Sequence, residues 1–165
     1  MKQLIVALCS AVVFAQSAPH IRAAAAAYES AKSKAFHKQY QTAIDDFHRA
    51  LEIEPTFIDA FDGLIAAYLD AGHKSDAAGA ITQLLEITPN AIRYRVLLGH
   101  LLLEQDQTDR ALAQFSFALK TQPLDPDALL GFAEAAKRAG MDARAAEELA
   151  IGRKQYPHDA RFNSK

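Results

Sequence analysis

The chain has 165 residues, half of them hydrophobic and 23% charged, with a formal net charge of -2. That suggests one globular domain, excludes a disordered polar chain, and leaves no basic block as a footprint for nucleic acid. The single cysteine, Cys9, excludes an intramolecular disulfide, and six prolines and seven glycines are few for a chain of many strands and tight turns.

Residues 1–15 read as a secretory leader. Lys2 supplies a positive start, and Leu4 to Ala15 form about a dozen apolar residues, too short for a membrane span of roughly 20. Cleavage is expected between Ala15 and Gln16, with Ser17/Ala18 as the alternative. A buried first helix is disfavoured because the segment has no polar face. A lipoprotein signal is disfavoured because Leu8 stands before Cys9 where a small residue is required. The remaining chain has no cysteine and no expected membrane span, and its place is the periplasm or the exterior. Residues 16–23 are a short lead-in.

The rest of the chain is periodic. Alanine recurs at Ala43, Ala77, Ala111 and Ala145, and proline at Pro55, Pro89, Pro123 and Pro157, each series stepping by 34 residues. Large apolar residues follow the alanines at Phe47, Ile81, Phe115 and Leu149. Leu64, Leu98 and Phe132 share an earlier phase. The periodicity predicts helices at 22–37, 40–53, 58–71, 75–87, 91–105, 108–121, 126–139 and 142–155. Each proline ends a helix. Asp125-Pro126 reads as an N-cap and first helical residue, and Thr108 and Asp142 as further caps. Gly72 and Gly140 fall in turns that favour positive φ.

This pattern resembles the tetratricopeptide repeat, most clearly in the third unit with Leu98-Gly99, Ala111, Phe115, Ala118 and Pro123. The resemblance implies an all-α fold, a right-handed α-solenoid of about four helix-turn-helix repeats. Their bounds are 24–57, a degenerate first unit, then 58–91, 92–125 and 126–159, with a tail at 160–165. Residues 157–160 look like the opening of a further unit. The polar last helix either closes the stack by itself or pairs through its outer face with another copy.

No chemistry-bearing constellation emerges. The histidines His20, His37, His48, His73, His100 and His158 lack metal-ligand spacing, and no phosphate loop or nucleophile elbow is present. No catalysis, metal or cofactor is expected. The resemblance implies instead a concave groove lined by the first helices, where a peptide or protein partner binds. Mapped onto this chain, it offers Tyr28, Lys32 and Phe36; Asp59 and Asp62, with Ala66, Leu69 and Asp70; Arg93, Val96 and His100, with Leu103 and Glu104; and Leu130, Glu134 and Lys137, with Asp127 and Arg138. Exposed Tyr28, Phe36, Leu69, Val96, Leu103 and Leu130 would form an apolar stripe, unless they pack against neighbouring units. Asp59, Asp62 and Asp70 would suit a partner with basic residues. The lysine–arginine–asparagine clamp of chaperone-binding relatives is absent, since Tyr28, Lys32 and Ala66 stand at its positions. The expected role is an exported interaction scaffold or adaptor, with envelope assembly or secretion as its setting. The alternatives are a self-assembling subunit, associating through the C-terminal repeat, and an accessory subunit of an enzyme encoded elsewhere.

Overall fold

The computed structural model describes the backbone of residues 2–163 and the side chains of residues 19–163. The side chains of the expected leader over 1–15, and residues 164–165 of the expected tail, lie outside the described residues.

The helices are α1 (Lys2–Phe36), α2 (Tyr40–Ile53), α3 (Ile58–Asp70), α4 (Lys74–Ile87), α5 (Ile92–Glu104), α6 (Thr108–Thr121), α7 (Pro126–Arg138), α8 (Asp142–Gln155) and α9 (Ala160–Asn163). No strand occurs among the described residues. The helices from α2 to α8 match their predicted spans to within a residue. Two differences stand at the ends. The first helix, expected from residue 22, begins at Lys2, and the expected tail contains α9.

Short-range chemistry sets the helix ends. α2, α4, α6 and α8 each stop two residues before Pro55, Pro89, Pro123 or Pro157, because the residue preceding a proline is driven out of the helical region. The helix-to-helix turns share one device. Gln39, His73, Gln107 and Met141 each donate a backbone N–H to the carbonyl five residues earlier, at 2.8–2.9 Å. The residue just before each donor is left-handed: Lys38 (φ 59), Gly72 (φ 79), Asp106 (φ 57) and Gly140 (φ 72). This is the glycine-type helix C-terminus, with glycine at two of the four turns. A left-handed conformation costs an L-residue about 1–2 kcal/mol, partly offset by the greater chain entropy glycine loses on folding. Lys38→Gly is therefore expected to raise unfolding free energy by about 0.5–1 kcal/mol, and Asp106→Gly by less, since aspartate tolerates this conformation better. Urea unfolding of the two variants checks the order.

The cap at α7 is as expected: Asp125 accepts a hydrogen bond from the backbone N–H of Ala128 at 2.7 Å, and Pro126 begins the helix. Thr108 and Asp142 are not caps. The turn needs one residue between the left-handed position and the helix, so Gln107 and Met141 take the N-cap places, without a side-chain hydrogen bond.

The chain divides into two compact units, residues 1–80 and 81–165. In the first, α1, α2 and α3 pack on one another. Ala24, Ala27 and Ala31 of α1 and Ala43 and Ala50 of α2 are buried, so the backbones approach closely. Phe47 of α2 fills the space, its ring against the backbone of Gly63 in α3. Tyr28 of α1 adds a ring 5.0 Å from Phe57 and 6.0 Å from Phe47.

The second unit repeats this scheme. α6 lies against α5 and α7, and the fully buried Phe115 ring enters from α6 between Gly99 of α5 and Gly131 of α7. A Cβ at Gly99 would fall 2.6 Å from Phe115 Cζ, and one at Gly131 would be closer still. The two glycines make the slot into which the ring fits.

At the C-terminal end, α8 does not close the unit by itself. Phe162 of α9 is 1% exposed and covers Gly152 of α8. It stacks on Tyr156 with ring centres 5.8 Å apart, while the Tyr156 hydroxyl donates to the carbonyl of Leu124. Arg161 ties the short helix down, reaching Asp127 at 2.6 Å and Asp159 at 2.7 Å.

Candidate functional site: the first-helix faces

In the second unit, α7 buries Ala128, Leu129, Phe132, Ala133, Ala135 and Ala136. Asp127, Glu134 and Lys137 are exposed and Leu130 is half-buried. These four follow the three- and four-residue steps of a single helix face. Thirty-four residues earlier, α5 holds Arg93, Val96, His100 and Leu103 at the same places; Arg93 is exposed and His100 half-buried, with exposed Glu104 next to Leu103.

The apolar stripe expected here is therefore mostly closed. Val96 is 8% and Leu103 2% exposed. Both are nearly closed over, leaving little surface for a partner, although Val96 still lines a cleft beside Arg93. Leu97, half-buried, stands midway in phase between Gly63 and Gly131, the positions that meet the Phe47 and Phe115 rings. His100 sits edge-on against the Phe115 ring at 5.1 Å. A cleft of about 310 Å³ opens at the N-terminal ends of the two helices, between Asn90, Arg93, Val96, Gln122, Asp125 and Asp127.

Charges on this face are largely spoken for. Arg138 binds Glu134 at 2.6 Å and donates to the Leu103 carbonyl at 2.7 Å, linking the ends of α7 and α5. Asp127 is held by Arg161. Arg161 in turn is pushed well above the ordinary arginine range by its hydrogen bonds to Asp159 and Asp127, and is protonated at every working pH.

In the first unit the candidate residues sit on α1 and α3. Lys32 is exposed and bonded to Glu29 at 3.1 Å, with its ammonium 5.0 Å from the centre of the Tyr28 ring. The hydrogen bond that Lys32 donates to Glu29 holds its ammonium above the ordinary range, and the nearby negative charge of Asp59 adds to this. Asp59 is exposed, while Tyr28 and Asp62 are half-buried. Tyr28 is thus committed in part to the interior. Phe36, the last residue of α1, is 84% exposed with its ring edge-on to His37 at 5.3 Å. Ala66 and Asp70 are exposed and Leu69 is half-buried.

A second cavity, of about 330 Å³, lies on another side of this unit, between Ala23, Ala26, Ser30, Asp46, Arg49 and Ile53. Asp46 accepts hydrogen bonds from Lys34 Nζ at 2.6 Å and Ser30 Oγ at 2.5 Å. Lys34 first, then Ser30, pulls its carboxyl below the usual carboxylate range. Sequence reasoning missed this triad because it joins two helices through residues outside the mapped groove. No three acidic, histidine or cysteine side chains among the described residues gather as a metal site.

A family model of the tetratricopeptide repeat matches residues 37–101 and 102–164. The chain belongs to the tetratricopeptide repeat family. Over 114 residues it is 28% identical to human (Homo sapiens) tetratricopeptide repeat protein 6; the match covers 67% of this chain and 22% of the relative, so the chain spans about a fifth of that protein. Among solved structures it resembles the MamA protein, with a TM-score of 0.77, 16% identity, and coverage of 85% of this chain and 76% of the other. It also resembles YrrB, described as a TPR protein with an unusual peptide-binding site, with a TM-score of 0.73, 22% identity, and coverage of 86% and 73%. At these identities the likeness is one of fold. The tetratricopeptide fold is that of a scaffold for protein–protein interaction.

Proposed function

We propose that this tetratricopeptide protein is an exported adaptor that binds a partner peptide or protein on its first-helix faces, by recognition and not by catalysis. The observation that carries this reading is the division of labour on α5 and α7. One side of each helix is closed into the unit, and the other presents Arg93, His100 and Glu104 on α5 and Asp127, Leu130, Glu134 and Lys137 on α7. Such a face offers the mixture of apolar contact and charge from which docking surfaces are built. Export, and work in envelope assembly or secretion, rest on the apolar run Leu4–Ala15 behind Lys2.

The test has two parts. Protein recovered from the envelope fraction of its own organism is expected to begin at Gln16 or close to it by N-terminal sequencing; recovery from the cytosol with Met1 in place would remove export from the reading. The tagged protein is then used to capture partners from that fraction, beside a variant carrying Lys32→Ala, Asp59→Ala, Arg93→Ala and Glu134→Ala. A protein retained by the wild type and lost by the variant is the expected result. Equal capture by both would show that the first-helix faces are not the binding surface. Self-assembly through the C-terminal repeat is the less favoured reading, because Phe162 covers the Gly152 face that such a contact would use.

A further inference from the structure

We propose that the α5–α7 face of the second unit takes an extended acidic segment with two carboxylates about five residues apart and an apolar side chain between them. The inference rests on the binding role above and names the chemistry of the partner at this face.

The argument is one of unequal pairing. Every acid on the face already has an internal partner. Asp125 caps α7 through the N–H of Ala128, Asp127 is bound by Arg161, Glu134 is bound by Arg138, and Glu104 also has a partner within the chain. The cations are not matched in the same way. Arg93 and Lys137 are both exposed, and neither has an ion-pair partner among the described residues. Arg93 lines the cleft with Asn90, Gln122, Asp125 and Asp127, its guanidinium carbon 5.2 Å from the Tyr94 ring centre; the two acids there are the ones already held by the Ala128 N–H and by Arg161. The charge left for a partner to satisfy is therefore positive, at two points.

The separation of those points sets the spacing of the ligand. Arg93 stands in the first turn of α5 and Lys137 in the last turn of α7. The two helices run in the same direction, and Asp127 holds on α7 the place that Arg93 holds on α5, 34 residues apart. From that level to Lys137 is about 15 Å along the axis, and the neighbouring helix adds about 8–10 Å across. The diagonal of roughly 18 Å is covered by five to six extended residues. His100 and Leu130, both half-buried, lie between the two cations and offer contact to one apolar side chain.

The full chain is titrated by fluorescence anisotropy against a labelled glycine–serine peptide carrying two glutamates five positions apart and a leucine midway. Matched peptides carry glutamines or lysines instead. The acidic probe is expected to bind, the glutamine probe about tenfold more weakly, and the lysine probe more weakly still. Arg93→Gln and Lys137→Gln are each expected to weaken the acidic probe about threefold to fivefold, as for exposed ion pairs, and added salt to weaken it further. Circular dichroism verifies that both variants remain folded. Equal binding of the acidic and glutamine probes, preference for the lysine probe, no binding of any probe, or variants with unchanged affinity would each overturn the proposal. A Lys137 that serves only the C-terminal end of α7 would lower the melting temperature and leave probe affinity untouched, which also overturns it. If the capture experiment above succeeds while the acidic probe fails, the binding role stands and this chemistry alone is lost.

Discussion

Phe115→Ala is expected to lower the unfolding free energy by about 3–5 kcal/mol, the range for removing a fully buried aromatic ring. The high end is favoured by what surrounds the ring. Its neighbours on two sides are the backbones of α5 and α7 at Gly99 and Gly131, and backbone cannot swing into a vacated space as a side chain can. The cavity therefore persists unless the helices themselves move together. Phe117, two residues along the same helix, is the control. It is 36% exposed, and the Arg95 guanidinium lies 3.6 Å from its ring centre. Phe117→Ala is expected to cost about 1 kcal/mol, part area and part cation–π contact. Guanidinium unfolding of the two variants reads the difference. A functional consequence follows, because the Phe115 ring spaces the two helices that carry the open face. Closing the slot would shift Arg93 relative to Lys137, so loss of partner binding in Phe115→Ala should exceed its loss of fold.

The repeat was legible because its physics is local. Prolines stop helices wherever they stand, and small residues recur wherever two helices cross, so the 34-residue phase of Ala43, Ala77, Ala111 and Ala145 translates directly into helix positions. The left-handed turns were legible where glycine occupies them and hidden at Lys38 and Asp106, which share the phase of Gly72 and Gly140 without their chemistry. The binding face was harder to read. The family's groove positions gave the phase, since Arg93, Val96 and Asp127 line one cleft, but not the exposure, since Val96 and Leu103 are nearly closed over. How far a neighbouring helix covers a side chain depends on tertiary packing, which the phase of the repeat does not carry. Charge carried a signal that went unused. Asp59, Arg93, Asp127 and Arg161 alternate in sign at one phase of the repeat, and the last two form an ion pair in the structure. The Asp46–Ser30–Lys34 triad has no such echo in the sequence, because its partners come from two helices and recur in no other unit.

The end of the chain gives the second large effect, and here the sign of one substitution should depend on another. Phe162→Ala is expected to cost about 3 kcal/mol, since the ring is buried on Gly152 and stacked on Tyr156. Gly152→Ala by itself is expected to be destabilising by about 1–2 kcal/mol. Alanine improves helix propensity by about 1 kcal/mol, but its Cβ would have to displace the Phe162 ring. In the Phe162→Ala background that obstruction is gone, and Gly152→Ala should stabilise by close to its propensity value. Thermal unfolding of the four proteins of this cycle measures the coupling. A coupling near zero would mean that α9 contributes little to the unit. A reversal of sign would establish that the Phe162 ring on Gly152 is the contact through which α9 holds α8. The pairing is exchanged in size relative to the preceding repeat, where Ala118 and Ala128 hold the corresponding places and both are fully buried. Two alanines suit a crossing of two full helices. Between α8 and α9 the contact is concentrated instead in one large ring, Phe162, set against the smallest residue, Gly152.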